Sequence, residues 1–157
     1  MDGRPVIHDW YCRMLLEQAL TDAWLGKGDL KQAGAEAERF VAATLTTAER
    51  TWQALAWEAS AHVAMAKGDR GHARTCVDNA VAAMEGFEVP LAAWRVHASA
   101  AELESRLGNQ RAAGHHRSLG RATVLAVANS LVDYERLRQT FLAAPPVRAI
   151  IDPGRGG

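Results

Sequence analysis

Three nine-residue stretches constrain this chain more than any other feature. They are LGKGDLKQA (25–33), MAKGDRGHA (65–73) and SRLGNQRAA (105–113). Gly28, Gly68 and Gly108 are followed at once by Asp29, Asp69 and Asn109, and five residues on by Ala33, Ala73 and Ala113. The spacing is forty residues both times. A single catalytic or phosphate-binding loop has no reason to recur at a fixed period, whereas a turn between two helices does. Glycine supplies the left-handed residue that ends one helix, and Asp or Asn can cap the next. Asp29 with Gln32 also has the form of a capping box.

Upstream of each glycine the residues are alanine-rich. Seven back stand Thr21, Ala61 and Ala101, and eight back Leu20, Ser60 and Ala100. Small residues on a recurring face let helices approach closely. Thr46-Thr-Ala-Glu49 reads as a second capping box, Pro90 as the first turn of a helix, Ser130 with Asp133 as a further start, and Pro145-Pro146 as a stop. The pattern predicts helices near 7–26, 30–44, 48–66, 70–86, 91–107, 110–128 and 131–143, with no alternating strand pattern of useful length. The expected fold is all-α. One domain over 1–157 comprises helix pairs at about 7–46, 47–89 and 90–129, a terminal helix at 131–143 and a flexible tail at 145–157.

These features resemble the tetratricopeptide repeat: a small residue midway along the first helix, a Gly-Asp or Gly-Asn turn, and an alanine five after the turn glycine. The likeness covers about residues 10–128. The family's large aromatic eleven before the glycine is matched by Trp57, with Glu17 and His97 in the other units. The aromatic four before it is matched by Trp24, against Ala64 and Glu104. The small residue of the second helix is Ala80, flanked by Phe40 and Gly120. The forty-residue period exceeds the family's usual 34. With PLAAWRVHASAAEL (90–103) and RQTFLAAPPVRAI (138–150), it resembles the C-terminal helical repeats of large bacterial regulators, whose catalysis lies in other domains. The resemblance implies a right-handed α-α superhelix, a solenoid that senses or relays by binding protein.

Composition narrows the function classes. The 18 basic and 18 acidic residues balance to zero, which argues against a nucleic-acid binder. The balance is uneven along the chain, −4 over residues 1–90 and +4 over 91–157, where every base is arginine. Two cysteines make no disulfide framework. MDGRPVIHDW offers no apolar signal core, and ATVLAVANSLV (122–132) is far short of the ~20 residues that span a bilayer. A cytoplasmic location is the expectation, with no membrane partner.

No phosphate loop or dinucleotide fingerprint is present, and no Ser, Cys or Thr stands in a recognisable triad. The chain reads as a non-enzyme without cofactor. His8 with Cys12 and His72 with Cys76 are i,i+4 pairs, but metal closure needs three or four converging groups. His115 and His116 point in two directions on one helix, so no metal site is expected. Glu36 with Glu38, and Glu102 with Glu104, read as a solvated face. Trp24, Trp52, Trp57 and Trp94 read as fillers between helices.

In such solenoids the first helices line the concave face that takes the partner. Positions ten, six, three and two before each glycine then give Gln18, Asp22, Leu25 and Gly26; Glu58, His62, Met65 and Ala66; and Ala98, Glu102, Ser105 and Arg106, with Arg95 one turn earlier. This groove leans acidic, with Arg95 and Arg106 at one end. It lacks the Lys and Asn with which family members clamp a C-terminal carboxylate, and suits a segment with a basic or apolar stripe. The other readings are a small-molecule sensor with a pocket among Trp24, Trp57, His62 and Met65, and a self-associating piece whose open end pairs with its twin. The remaining alternative is a groove covered by the chain's own N-terminus or C-terminal tail, since a short solenoid needs its apolar ends capped.

Overall fold

The computed structural model describes the backbone of residues 7–152 and the side chains of residues 10–152. Among these residues every regular element is a helix: α1 (Ile7–Gly26), α2 (Leu30–Leu45), α3 (Arg50–Ala66), α4 (Arg70–Met84), α5 (Pro90–Arg106), α6 (Gln110–Ser130), α7 (Glu135–Ala143) and α8 (Pro145–Ile151). The all-α expectation holds. The chain divides after Phe87 into two compact units, the first holding α1–α4 and the second α5–α8.

The three glycine turns are built alike. Gly28, Gly68 and Gly108 have φ of 75°, 76° and 82°. At each, the glycine N–H donates three residues back, to Leu25, Met65 and Ser105 at 3.0, 3.2 and 3.1 Å. The next N–H, from Asp29, Asp69 or Asn109, reaches five back to Trp24, Ala64 or Glu104 at 3.0, 2.9 and 2.9 Å. This pair of bonds is the Schellman motif, which satisfies carbonyls that a helix end would otherwise leave bare. Asp29 and Asp69 then accept from the N–H of Gln32 and His72, at 3.0 and 2.9 Å, capping α2 and α4. Ala33, Ala73 and Ala113 are all fully buried. The repeat seen in the sequence is therefore one hydrogen-bonded device used three times.

In the first unit α3 touches α1, α2 and α4. Its burial pattern follows from that central place: Trp52, Ala54, Leu55, Ala56, Ala59, Ala61, Val63 and Ala64 are all in the core, leaving little polar arc. Most of these residues are small, so helix axes can close on one another. Phe40 and Met14 supply bulk where α2 and α1 meet them, both fully buried. Phe40 lies edge-on to Trp52 at 6.3 Å, and Tyr11 does so at 5.5 Å.

In the second unit α5 and α6 form the hairpin, and α7 and α8 lie against α6. Gly120 of α6 makes room there. A Cβ at that position would lie 3.5 Å from both the Trp94 carbonyl oxygen and His97 Cβ, and 3.8 Å from Ile150 of α8. Val147 anchors α8 at 2% exposure, while α7 buries no residue.

Four boundary expectations are corrected. Pro145 and Pro146 open α8 instead of ending structure, because proline lacks only an N–H that the first turn leaves unpaired anyway; residues 145–151 are thus no flexible tail, and 153–157 lie outside the described residues. Thr46 closes α2, and Glu49 is the N-cap of α3 without a side-chain bond. Thr47 instead accepts from the Glu49 N–H at 3.3 Å. Ser130 ends α6, its hydroxyl turned back onto the Val127 carbonyl at 2.7 Å, so α7 starts four residues later than expected. Asn109 makes no cap bond either.

Candidate functional site

The expected groove residues fall in both units: Gln18, Asp22, Leu25, Glu58, His62 and Met65 in the first, and Arg95, Glu102, Ser105 and Arg106 in the second. Within the first unit α1 and α3 are neighbours, and Leu25 with Trp24 packs on a small core of Ala33, Ala37 and Val63. Asp22 is exposed, and Gln18, Leu25, His62 and Met65 are half-buried. One expected member does not serve as a surface carboxylate. Glu58 is only 3% exposed, and its Oε1 stands 3.4 Å from His62 Nε2. One helical turn separates the two residues, so the short side chains meet on one face.

In the second unit Arg106 holds Glu102 at 2.5 Å and Arg117 donates to Ser105 Oγ at 2.5 Å. Glu102, Ser105 and Arg117 edge a cavity of about 390 Å³ whose other walls are Ala98, Ala101, His116, Gly120 and the α8 residues Pro146, Ala149 and Ile150. A second cavity, of about 370 Å³, opens between α1 and α2 beside Trp10, Arg13 and Arg39. Neither is lined by the Trp24, Trp57, His62 and Met65 set that the sensor reading invokes. The indole N–H of Trp10 is buried without a hydrogen-bond partner.

Burial also corrects the reading of paired carboxylates. Glu36 and Glu104 are 7% and 4% exposed, while Glu38 and Glu102 are exposed. Residues two apart on a helix differ by 200°, so one of each pair points inward. The inward ones are compensated: Glu36 pairs with Arg39, and Glu104 accepts from Asn109 Nδ2 at 2.8 Å. Trp52 fills inter-helix space as expected, whereas Trp24, Trp57 and Trp94 are half-buried.

The structure brings together two histidines that spacing along one helix does not connect. His97 of α5 and His116 of α6 face each other with Nδ1 atoms 3.2 Å apart and ring centroids at 5.3 Å. His115, its ring 5.7 Å from that of His116, stands exposed next to the pair. Burial, and then the two neighbouring imidazoles, lowers the pKa of His97 to about 4. A hairpin turning at Gly108 brings positions near 97 and 116 past each other, but which pair of side chains meets depends on the register of the two helices. On the other unit Cys76 Sγ lies 3.6 Å from His72 Nε2, and burial pushes its thiol up to about 11. The side chain of His8 lies outside the described residues. No group of three or more His, Cys, Asp or Glu side chains converges as a metal cage among the described residues, and no described helix is long and apolar enough to cross a membrane.

No family model, curated protein or solved structure matches the chain.

Proposed function

We propose that the chain is a tetratricopeptide-like repeat module that binds a polypeptide segment and performs no chemistry of its own. The observation that supports this most is the threefold use of one Schellman turn with a fully buried alanine after it. Like turns at a forty-residue period make similar helix pairs, and the proposed module is a right-handed superhelix of the kind in which such pairs stack with their first helices side by side. The α1–α3 neighbourhood is one such step. Asp22 offers charge there, and Leu25 and Met65 offer apolar area. A segment alternating basic and apolar side chains complements that face, and a cytoplasmic regulator is the setting the resemblance implies.

Selection of random phage-displayed peptides on the full chain tests the reading. Enrichment of peptides rich in Lys or Arg with interleaved Leu, Ile or Phe is expected. Failure to enrich any peptide over an unrelated helical protein contradicts it.

A second reading rests on a separate observation. Helix α1 leaves an arc of apolar residues exposed beside its charged ones. Met14, Glu17 and Thr21 are buried, yet Leu15 and Leu16 remain 46% and 56% exposed, and Cys12, Ala19 and Ala23 are exposed too. A contiguous exposed apolar arc of this kind marks a surface that a partner covers. Pairing of two copies through this arc would cover it. Light scattering across a wide concentration range separates the readings: a dimer lost in Leu16→Glu supports pairing, and a monomer at all concentrations removes it.

A further inference from the structure

We propose that His97 and His116 form a two-histidine site for a tetrahedral divalent cation, Zn2+ being the best fit, bound through the two Nδ1 atoms. This goes beyond the polypeptide-binding role and does not depend on it.

The distance between the nitrogens is the first argument. Imidazole nitrogens bind Zn2+ at 2.0–2.1 Å. Two nitrogens 3.2 Å apart, each about 2.05 Å from one ion, subtend roughly 103° at that ion. This is close to the tetrahedral angle. A square-planar ion, which holds neighbouring ligands at 90°, would want the nitrogens at about 2.9 Å for the same bond length. The separation of the two nitrogens thus matches the bite of a tetrahedral ion.

The chemistry of the contact is the second. Two Nδ1 atoms at this distance need something between their lone pairs, and in the free protein that is one shared proton, donated by either ring. A cation can replace it without a change in net proton count, because the displaced proton is accommodated on Nε2 of the same ring as the other tautomer. Placement is the third. His116, though not His97, lines the 390 Å³ cavity beside α8, so the pair is approached from the His116 side. Two protein ligands and two waters make a weaker, exchangeable site, short of the closure by three or four protein ligands that holds a catalytic or structural zinc.

Other nitrogen and sulfur groups serve less well. Cys76 faces His72, but its sulfur is fully buried and holds its proton to high pH, whereas a metal takes the thiolate. His115 is the adjacent residue on α6 and exposed, which makes it the natural control.

Calorimetric titration of Zn2+ into the full chain, without chelator or His-tag, tests the site. Wild type and His115→Gln are expected to bind the same number of equivalents, and His97→Gln and His116→Gln one equivalent fewer. Long-range nitrogen–proton NMR on the wild type gives an answer independent of whether the variants fold. On adding Zn2+, the Nδ1 signals of both His97 and His116 should shift together as metal-bound nitrogens. The proposal is overturned if those signals stay in place, if both variants keep the full number of equivalents, or if His115→Gln alone loses one.

Discussion

Asn109 Nδ2 donates to Glu104 Oε2 across 2.8 Å, at the place where the two sister turns carry Asp29 and Asp69 as helix caps. The third turn has the same backbone and a different use of its side chain. Glu104 is 4% exposed, and an amide that can donate is what its carboxylate needs there. The exchange of Asp for Asn within the repeat therefore follows from the residue five positions earlier, which is Trp24 or Ala64 in the other units.

The second and third turns should then respond differently when Asp and Asn are exchanged. Asp69→Asn keeps an acceptor for the His72 N–H and should change stability by less than about 0.5 kcal/mol, since Asn and Asp cap equally well. Asn109→Asp sets a second carboxylate against Glu104 and removes its donor, at a cost of about 1–3 kcal/mol. Urea denaturation of both variants measures the difference. Equal midpoints would remove the role assigned to Asn109.

Glycine at the turns is a backbone requirement alone. Nothing lies within 4 Å of a Cβ added at Gly68, but its φ is +76°. Gly68→Ala should destabilise by about 1–2 kcal/mol from strain. Gly114→Ala, in α6 with equal free space and no left-handed φ, should stabilise by about 0.5–1 kcal/mol. Thermal unfolding of the two variants checks the pair, and a shift of the same sign in both would contradict the distinction.

The two cysteines should separate cleanly by reactivity. Cys12 is exposed and Cys76 fully buried. A thiol reagent at pH 8 should label one site quickly and the second only when urea unfolds the chain. The buried thiol also carries a pH signature. Its folded pKa of about 11 lies above the usual 9.0, so the folded state keeps a proton that the unfolded state releases. The stability this gives is present in full below pH 9 and is lost as pH rises from 9 towards 11. Cys76→Ala should flatten that decline in urea midpoint. An unchanged slope would contradict it.

Much of the fold could be read from residues because the repeat carries its own check. A glycine, a capping residue and a buried alanine at one spacing leave few alternatives, and six of the first seven helix starts fall within two residues of expectation. The ends without glycine were less legible. At Thr46–Glu49, threonine hydroxyls bond back to carbonyls three residues earlier, Ala43 and Thr44, a use that competes with capping and looks identical in sequence. Glu58, Glu36 and Glu104 read as surface charges because a glutamate on a helix usually is one. Only their burial in the fold reveals that each points inward. The His97–His116 contact depends on how two antiparallel helices register, which spacing along either helix does not show.

The most direct test of the polypeptide-binding role is calorimetric titration of a phage-selected peptide into the wild type and two charge-reversal variants, Asp22→Lys on α1 and Arg106→Glu on α5. Asp22→Lys should weaken a basic, apolar peptide about tenfold, some 1.4 kcal/mol, while Arg106→Glu leaves the affinity within about twofold. Equal affinity for the wild type and Asp22→Lys, or a loss confined to Arg106→Glu, would contradict a binding face on α1 and α3.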